Sequence, residues 1–264
     1  MIGILIAAGL GSRMGVFTET KPKCLLPIGG KTLLDWTLDN FRRSQCDRQA
    51  VVVGHCGEMI ERPGLTKFTN ADYRNNNILH SLMCATDVMT GPVVASYSDI
   101  YVEGVIYDAL MATPGDIVIA VDTDWRPYYA GRDGHPLQEA ENVYFDEAGQ
   151  VRKIGKHLDD NPPPGQRCGE FLGLWRMSQK GTATFRSHFD RVSREIAPTA
   201  PFQHAREWRK AYITDLVQEM VDRGVTVNCA MVERGWAELD TEEDYRRLPS
   251  VAARQRLTSL LEST

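Results

Sequence analysis

Ile2–Pro27 reads IGILIAAGLGSRMGVFTETKPKCLLP, and the fold follows from how this stretch is read. The apolar run Ile2, Ile4, Leu5 and Ile6 predicts a buried strand. Ala7, Ala8, Gly9 and Gly11 then open a loop of small residues that runs on through Ser12 and Arg13. Small residues let backbone N–H groups approach a ligand, and glycine accepts the dihedrals that aim successive N–H groups at one anion. Arg13 and, beyond a segment broken by threonine and proline, Lys23 add side-chain positive charge. Strand, loop and two cations together predict a cradle for the triphosphate of a nucleotide.

Two other glycine motifs are excluded by single positions. The dinucleotide fingerprint needs a third glycine where Met14 stands, and an acid after a second strand that here runs from Gln49 to Val53 into Gly54-His55. Gly30-Lys31-Thr32 suggests a Walker A loop, but the glycine required five residues before Gly30 is Leu25. Hydride transfer and P-loop hydrolysis both lose their basis.

The pattern AAGLGSRM, a spacer, and then KPKCLLPIGGKTLL resembles the signature of the nucleotidyltransferases that join a nucleoside triphosphate to a sugar phosphate, phosphocholine or a phosphonate and release pyrophosphate. Loop, lysine and proline recur in that order. The resemblance implies a Rossmann-like three-layer α/β/α fold with a mixed, mostly parallel central sheet and an inserted acceptor-binding subregion. It places base and triphosphate on Ala7, Ala8, Gly9, Gly11, Ser12 and Arg13, with Lys23 against the phosphates. Residues 1–264 then form a single domain, with 1–124 for the nucleotide, 125–224 for the acceptor and 225–264 as closing strands and helices.

Composition agrees with such an enzyme. The 264 residues are 42% hydrophobic and 25% charged, ordinary for a globular chain. A net charge of −5 leaves no broad basic surface for nucleic acid or membrane lipid. The six cysteines show no C-x-x-C spacing, which argues against a zinc site or a disulfide framework. The apolar start has no basic leader and is short for a signal peptide, and no run nears the roughly 18 apolar residues of a membrane span. A cytoplasmic protein is expected, with a homodimer compatible with it.

Along the chain, Lys31 to Arg43 predicts an amphipathic helix and Gln49 to Gly54 a strand, the beginning of a parallel α/β sheet. Asn75-Asn76-Asn77 precede the apolar pattern Ile78, Leu79, Leu82. Asn76 or Asn77 can cap a helix there, or Asn75 or Ser81 can touch nucleotide. The run is similar to that of phosphocholine cytidylyltransferases, and this similarity is what favours CTP. Pro92 to Tyr97 predicts a strand ending at Asp99, where ligands of open α/β sheets sit. Magnesium needs one or two carboxylates. By resemblance Asp99 is one metal ligand and Asp240, in the closing Trp236-Ala237-Glu238-Leu239-Asp240-Thr241 run, the other. Strand alternation puts Trp236, Glu238 and Asp240 on one face, while Thr241 is also a candidate helix cap.

Between these acids lies the expected acceptor region. The strand from Asp116 to Val121 leads into an aromatic and basic loop containing Trp125, Arg126, Tyr128, Tyr129 and Arg132. A hairpin is expected over Asn142–Phe145 and Gln150–Ile154, closed by Lys156, where the family carries a second lysine for the acceptor's phosphate. Gly169 to Trp175, with Glu170, resembles the strand beneath the acceptor. Helices are expected from Ser178 to about Val192, from about Ala205 to Arg223, and from Val251 to Leu261. Trp125, Tyr128 and Tyr129, with Glu139 or Glu141, suit a trimethylammonium group, whereas Arg126 and Arg132 suit an anionic phosphonate. The resemblance therefore implies a magnesium-dependent cytidylyltransferase with Lys23, Arg13 and Lys156 in catalysis, and CTP and a small phosphonate or phosphomonoester as substrates. A sugar-1-phosphate nucleotidyltransferase and a non-catalytic regulatory relative are the alternatives.

Overall fold

The structure is a computed structural model and describes residues 1–262. The chain runs through β1 (Ile2–Ala7), a small hairpin of β2 (Pro27–Ile28) and β3 (Lys31–Thr32), α1 (Leu33–Arg43), β4 (Arg48–Val53), β5 (Leu65–Thr69) and α2 (Ile78–Met83). It continues with β6 (Val93–Tyr97), β7 (Ile100–Val102), α3 (Gly104–Ala112), β8 (Ile117–Asp122), the hairpin β9 (Glu141–Phe145) and β10 (Val151–Lys156), and the long β11 (Arg167–Met177). The last elements are α4 (Gln179–Glu195), α5 (Ile213–Asp222), β12 (Asn228–Val232), β13 (Trp236–Glu238), α6 (Glu242–Val251) and α7 (Thr258–Glu262).

Seven strands lie in the order β5-β4-β1-β6-β11-β8-β12. All are parallel except β11, which runs against both neighbours. The outer half of β11, Arg167–Glu170, also carries the β9–β10 hairpin, so the sheet is mixed but mostly parallel. Where the register against β8 shifts, Gly173 adopts φ 74, a left-handed conformation that favours glycine.

β1 shows why the fold has three layers. Leu5 and Ala7 pack with Leu34, Leu38 and Phe41 of α1 and Ile106, Tyr107 and Leu110 of α3. Ile2, Ile4 and Ile6 pack on the other face with Leu79 and Leu82 of α2, Phe185 of α4 and Leu216 and Met220 of α5. Successive strand residues point to opposite faces, so a strand covered on both sides must be apolar throughout.

Helix starts follow their caps. Thr32 accepts from Asp35 N at the start of α1, and Ser178 accepts from Gly181 N at the start of α4, which runs on past Val192 to Glu195. The helix expected from Ala205 starts only at Ile213. The Asp215 carboxylate accepts from Tyr212 N and from His204 N, fixing the cap at Tyr212 and the preceding residues as turns. The single helix expected from Val251 to Leu261 is instead the end of α6 and the short α7, separated by Arg256 at φ 58. No described helix is long and apolar enough to cross a membrane.

Candidate active site

A cavity of about 350 Å³ opens where β1 and β6 end, beside the bulge of β11, with β13 closing its side. Ala8, Gly9, Gly11, Ser12 and Arg13 form one wall. Gly11 has φ 62, its carbonyl accepts from Thr18 Oγ1 at 2.8 Å and from Met14 N at 2.9 Å, and Met14 is buried as the loop's anchor. A Cβ on Gly9 would meet nothing within 4 Å, so that backbone is open to the cavity. Ala7 points away from the cavity, into the core under α1.

Lys23 comes from the turn after Pro22, held in place by the buried Cys24 and Leu26. Its Nζ donates to Asp99 Oδ2 at 3.2 Å and to Asp240 Oδ1 at 3.1 Å. Burial lowers the Lys23 ammonium, but Asp99, Asp240 and Glu238 outweigh it and the net direction is up. Arg13 Nη2 reaches Asp240 Oδ2 at 2.7 Å. Burial raises the Asp240 carboxyl, yet His135, Lys23 and Arg13 hold it well below the ordinary carboxylate range. Ionised, Asp240 can only accept, so His135 Nδ1, 2.7 Å from Oδ2, is the donor.

The tip of α6 fixes Asp240 from behind. Thr241 caps the helix by accepting from Asp244 N, and Asp244 Oδ2 accepts from Thr241 N at 2.8 Å and Asp240 N at 3.1 Å. Arg132, with a fully buried side chain, clamps Asp244 through Nε at 2.6 Å and Nη2 at 3.1 Å, and Nη2 also reaches Glu238 Oε2 at 2.7 Å. The loop that supplies Arg132 and His135 is tied down further where Gly134 N donates to Glu243 Oε2 at 2.8 Å.

The expected acceptor residues divide. Tyr129, Glu139, Lys156 and Glu170 line the cavity with Glu141 and Glu238. Lys156 pairs with Glu139 at 2.9 Å. Trp125 lies in the core, 1% exposed and edge-on to Tyr129, because its ring is the large apolar body that roots the loop. Arg126 is a surface residue paired with Asp160 at 2.9 Å. Arg132 is spent on Asp244 and Glu238, so neither arginine faces an acceptor.

Asn75 is exposed and donates to Asp72 at 2.6 Å, outside the cavity, whereas Asn76, Asn77 and Ser81 line it. Asn77 takes the cap position of α2, but its side chain donates to Lys210 O at 3.0 Å instead of capping. Asn70 links Asn76 and Ser81, donating to them at 2.8 and 2.9 Å. His135, Tyr97 and Tyr212 are lining residues that sequence reading did not single out, and Asn76 and Asn77 line the cavity although they were read only as helix caps. Only the asparagine run carried a signal; His135 stands 105 residues from its partner Asp240.

The donor set fits a hard divalent cation. Two carboxylates converge from the bend between β6 and β7 and the segment after β13, and the ammonium of Lys23 already stands between them as a cation. His135, Glu238 and Asp240 also bring ligand atoms within 4.8 Å of one another, though the histidine hydrogen-bonds to Asp240.

A doubly covered, mostly parallel sheet with a small-residue loop, a buried lysine and paired acids at its carboxyl edge defines a nucleotidyltransferase. The chain belongs to the MobA-like NTP transferase domain family, whose model matches residues 3–161. It is 23% identical over 256 residues to CTP:phosphoglutamine cytidylyltransferase of Campylobacter jejuni subsp. jejuni, covering 92% of this chain and 97% of the relative. It is 33% identical over 169 residues to 2-aminoethylphosphonate cytidylyltransferase of Lancefieldella rimae, covering 60% of this chain and 61% of the relative. Among solved structures, CTP:phosphocholine cytidylyltransferase from Streptococcus pneumoniae shares the fold, with a TM-score of 0.70 at 18% identity over 95% of this chain and 98% of that one.

Proposed function

We propose that the protein transfers CMP from CTP to a small phosphonate or phosphomonoester, releasing pyrophosphate, with magnesium as cofactor. The observation that carries this reading is the meeting of Lys23 with Asp99 and Asp240 at the mouth of the open-backbone loop, with Lys156 in the same cavity. The names of the relatives, which are cytidylyltransferases, support CTP as donor.

The acceptor's anionic oxygen attacks the α-phosphorus of CTP, forming a P–O bond as the bond to the β-phosphate oxygen breaks and pyrophosphate leaves. The attacking oxygen already carries charge, so no side chain has to remove a proton. Catalysis is positioning and charge neutralisation. The N–H groups around Gly9 and Gly11 and the Arg13 guanidinium hold the triphosphate. Lys23 exchanges its carboxylate partners for phosphate oxygens, and Lys156 leaves Glu139 for the acceptor's phosphoryl end. Magnesium held by Asp99 and Asp240 would neutralise phosphate charge. Asn76, Asn77 and Ser81, which line the same cavity as the loop, would meet the nucleotide there.

Pyrophosphate release from CTP with magnesium, over a panel of phosphocholine, aminoethyl- and hydroxyethylphosphonate, phosphonoformate and glucose 1-phosphate, tests the reading. Turnover with a phosphonate or phosphocholine is expected. Turnover with glucose 1-phosphate alone indicates a sugar-1-phosphate nucleotidyltransferase, and none with any acceptor or triphosphate indicates a regulatory relative.

A further inference from the structure

The half of the cavity away from the glycine loop is acidic beyond what its own cations balance. Glu139, Glu141, Glu170 and Glu238 line it. Lys156 is paired with Glu139 and Arg132 with Glu238. Glu141 and Glu170 are left facing the space without a basic partner among the described residues.

Glu170 is the more telling of the two. It is 4% exposed, the Tyr129 hydroxyl donates to its Oε1, and its Oε2 is buried with no hydrogen-bond partner among the described residues. A bare buried carboxylate oxygen is costly, and a ligand donor that reaches it recovers that cost. Glu141 accepts from Tyr97 Oη at 3.3 Å, a long bond. Burial raises the Glu170 carboxyl well above its ordinary value against the opposing charge of Arg132, and pushes Glu141 up to about 8 against that of Lys156.

The aromatic rings nearby are poor hosts for a quaternary ammonium, which needs an open ring face. The Arg132 guanidinium lies over Tyr129 at 5.2 Å, and Lys156 Nζ lies over Tyr212 at 5.2 Å. Tyr97 is packed edge-on against Phe171 and Trp175. The protein's own cations lie over these rings, while Glu170 Oε2 is left without a hydrogen-bond donor among the described residues.

We propose that the acceptor carries an ammonium group with N–H bonds, a primary amine in the simplest case, at the end opposite its phosphoryl group, and that Glu170 and Glu141 receive those hydrogens. This rests on the cytidylyltransferase reading and adds the acceptor's chemical class to it. A trimethylammonium has no N–H to give Oε2, and a hydroxyl in its place brings one donor and no charge. Glu170 and Glu141 are then specificity-determining residues, aligned so that the amine end fixes the distance of the phosphoryl oxygen from Lys156 and Lys23.

The test is a matched set of acceptors of one chain length: 2-aminoethylphosphonate, its N,N,N-trimethyl derivative and 2-hydroxyethylphosphonate. Each is assayed with CTP and magnesium for pyrophosphate release, using wild type, Glu170→Gln and Glu141→Gln. The amine is expected to exceed both analogues in kcat/KM by about tenfold or more, and Glu170→Gln to lower the amine-to-hydroxyl ratio by about tenfold. Equal or better use of the trimethyl or hydroxyl compound overturns the inference but leaves cytidylyl transfer standing. A Glu170→Gln enzyme that slows on all three alike also overturns it, since a purely structural role does that. Turnover of glucose 1-phosphate alone, or of nothing, overturns the cytidylyl reading and this inference together.

Discussion

His135 donates to Asp240 at 2.7 Å across 105 residues of chain, so the loop after β8 is tied to the carboxylate that follows β13. Asp240 Oδ2 is held by His135 and Arg13, which leaves Oδ1 toward Lys23 and Asp99. His135→Ala removes one of the two donors on Oδ2 and loosens the orientation of Asp240. The magnesium concentration for half-maximal rate at saturating CTP should rise about tenfold to 100-fold, the usual cost of losing a partner that orients a metal ligand. An unchanged magnesium titration removes His135 from this role.

Lys23 stands between the two carboxylates a metal ion would use. Lys23→Met should lower kcat by about 100-fold or more, by the scale for losing a preorganised charge on the transition state. It should also melt lower than wild type in EDTA, because Asp99 and Asp240 then face each other unshielded. Added magnesium should raise the melting temperature of the variant more than that of wild type. Equal shifts in the two proteins would mean that lysine and metal do not share the site.

Gly9 separates binding from folding. A Cβ there meets no protein atom within 4 Å, so Gly9→Ala should change unfolding free energy by less than about 1 kcal/mol. The same methyl enters the space where a triphosphate would approach the backbone. CTP affinity by calorimetry should fall at least about tenfold. Normal affinity would place the nucleotide elsewhere.

Arg132 is a buried cation on Asp244 and Glu238. Arg132→Met strands Asp244 without a partner for its charge and should cost about 3–5 kcal/mol in urea unfolding. Arg132→Lys keeps the charge but loses the fork, and should fall between. A cost below about 1 kcal/mol would show that Asp244 is held by the helix cap alone.

Glu141 predicts a pH dependence of the ligand-free protein. Burial, with Asp215 and Glu238 adding repulsion and Lys156 opposing it, raises this carboxyl from 4.5 to about 8. Below 4.5 it is protonated in both folded and unfolded chains. Between about 4.5 and 8 the unfolded chain gives up the proton and the folded one keeps it, so this residue makes stability fall as pH rises. Glu141→Gln should flatten that part of the profile in chemical unfolding from pH 5 to 8. An identical slope in wild type and variant would mean that Glu141 ionises normally.

Much of the site was legible in the chain. Ile2–Pro27 announces strand, loop and lysine because phosphate cradles are local: consecutive backbone N–H groups and one nearby cation suffice. Asp99 was legible as a residue at a strand end, and Asp240 through the resemblance of the Trp236–Thr241 run, which names a role without giving the partners. What needed the tertiary structure was every role set by distant partners. Trp125 and Arg132 look alike in sequence to acceptor ligands, an aromatic and a base in an irregular loop, yet one is the loop's buried root and the other neutralises Asp244. His135 gave no signal, since a lone histidine acquires meaning only from the carboxylate that packing brings to it. The sequence thus determined the sheet and the open glycine loop, which are built from neighbours in the chain. The acidic end of the cavity was decided by packing, because it is a balance of charges from β9, β10, β11 and β13 that meet only when the sheet has closed.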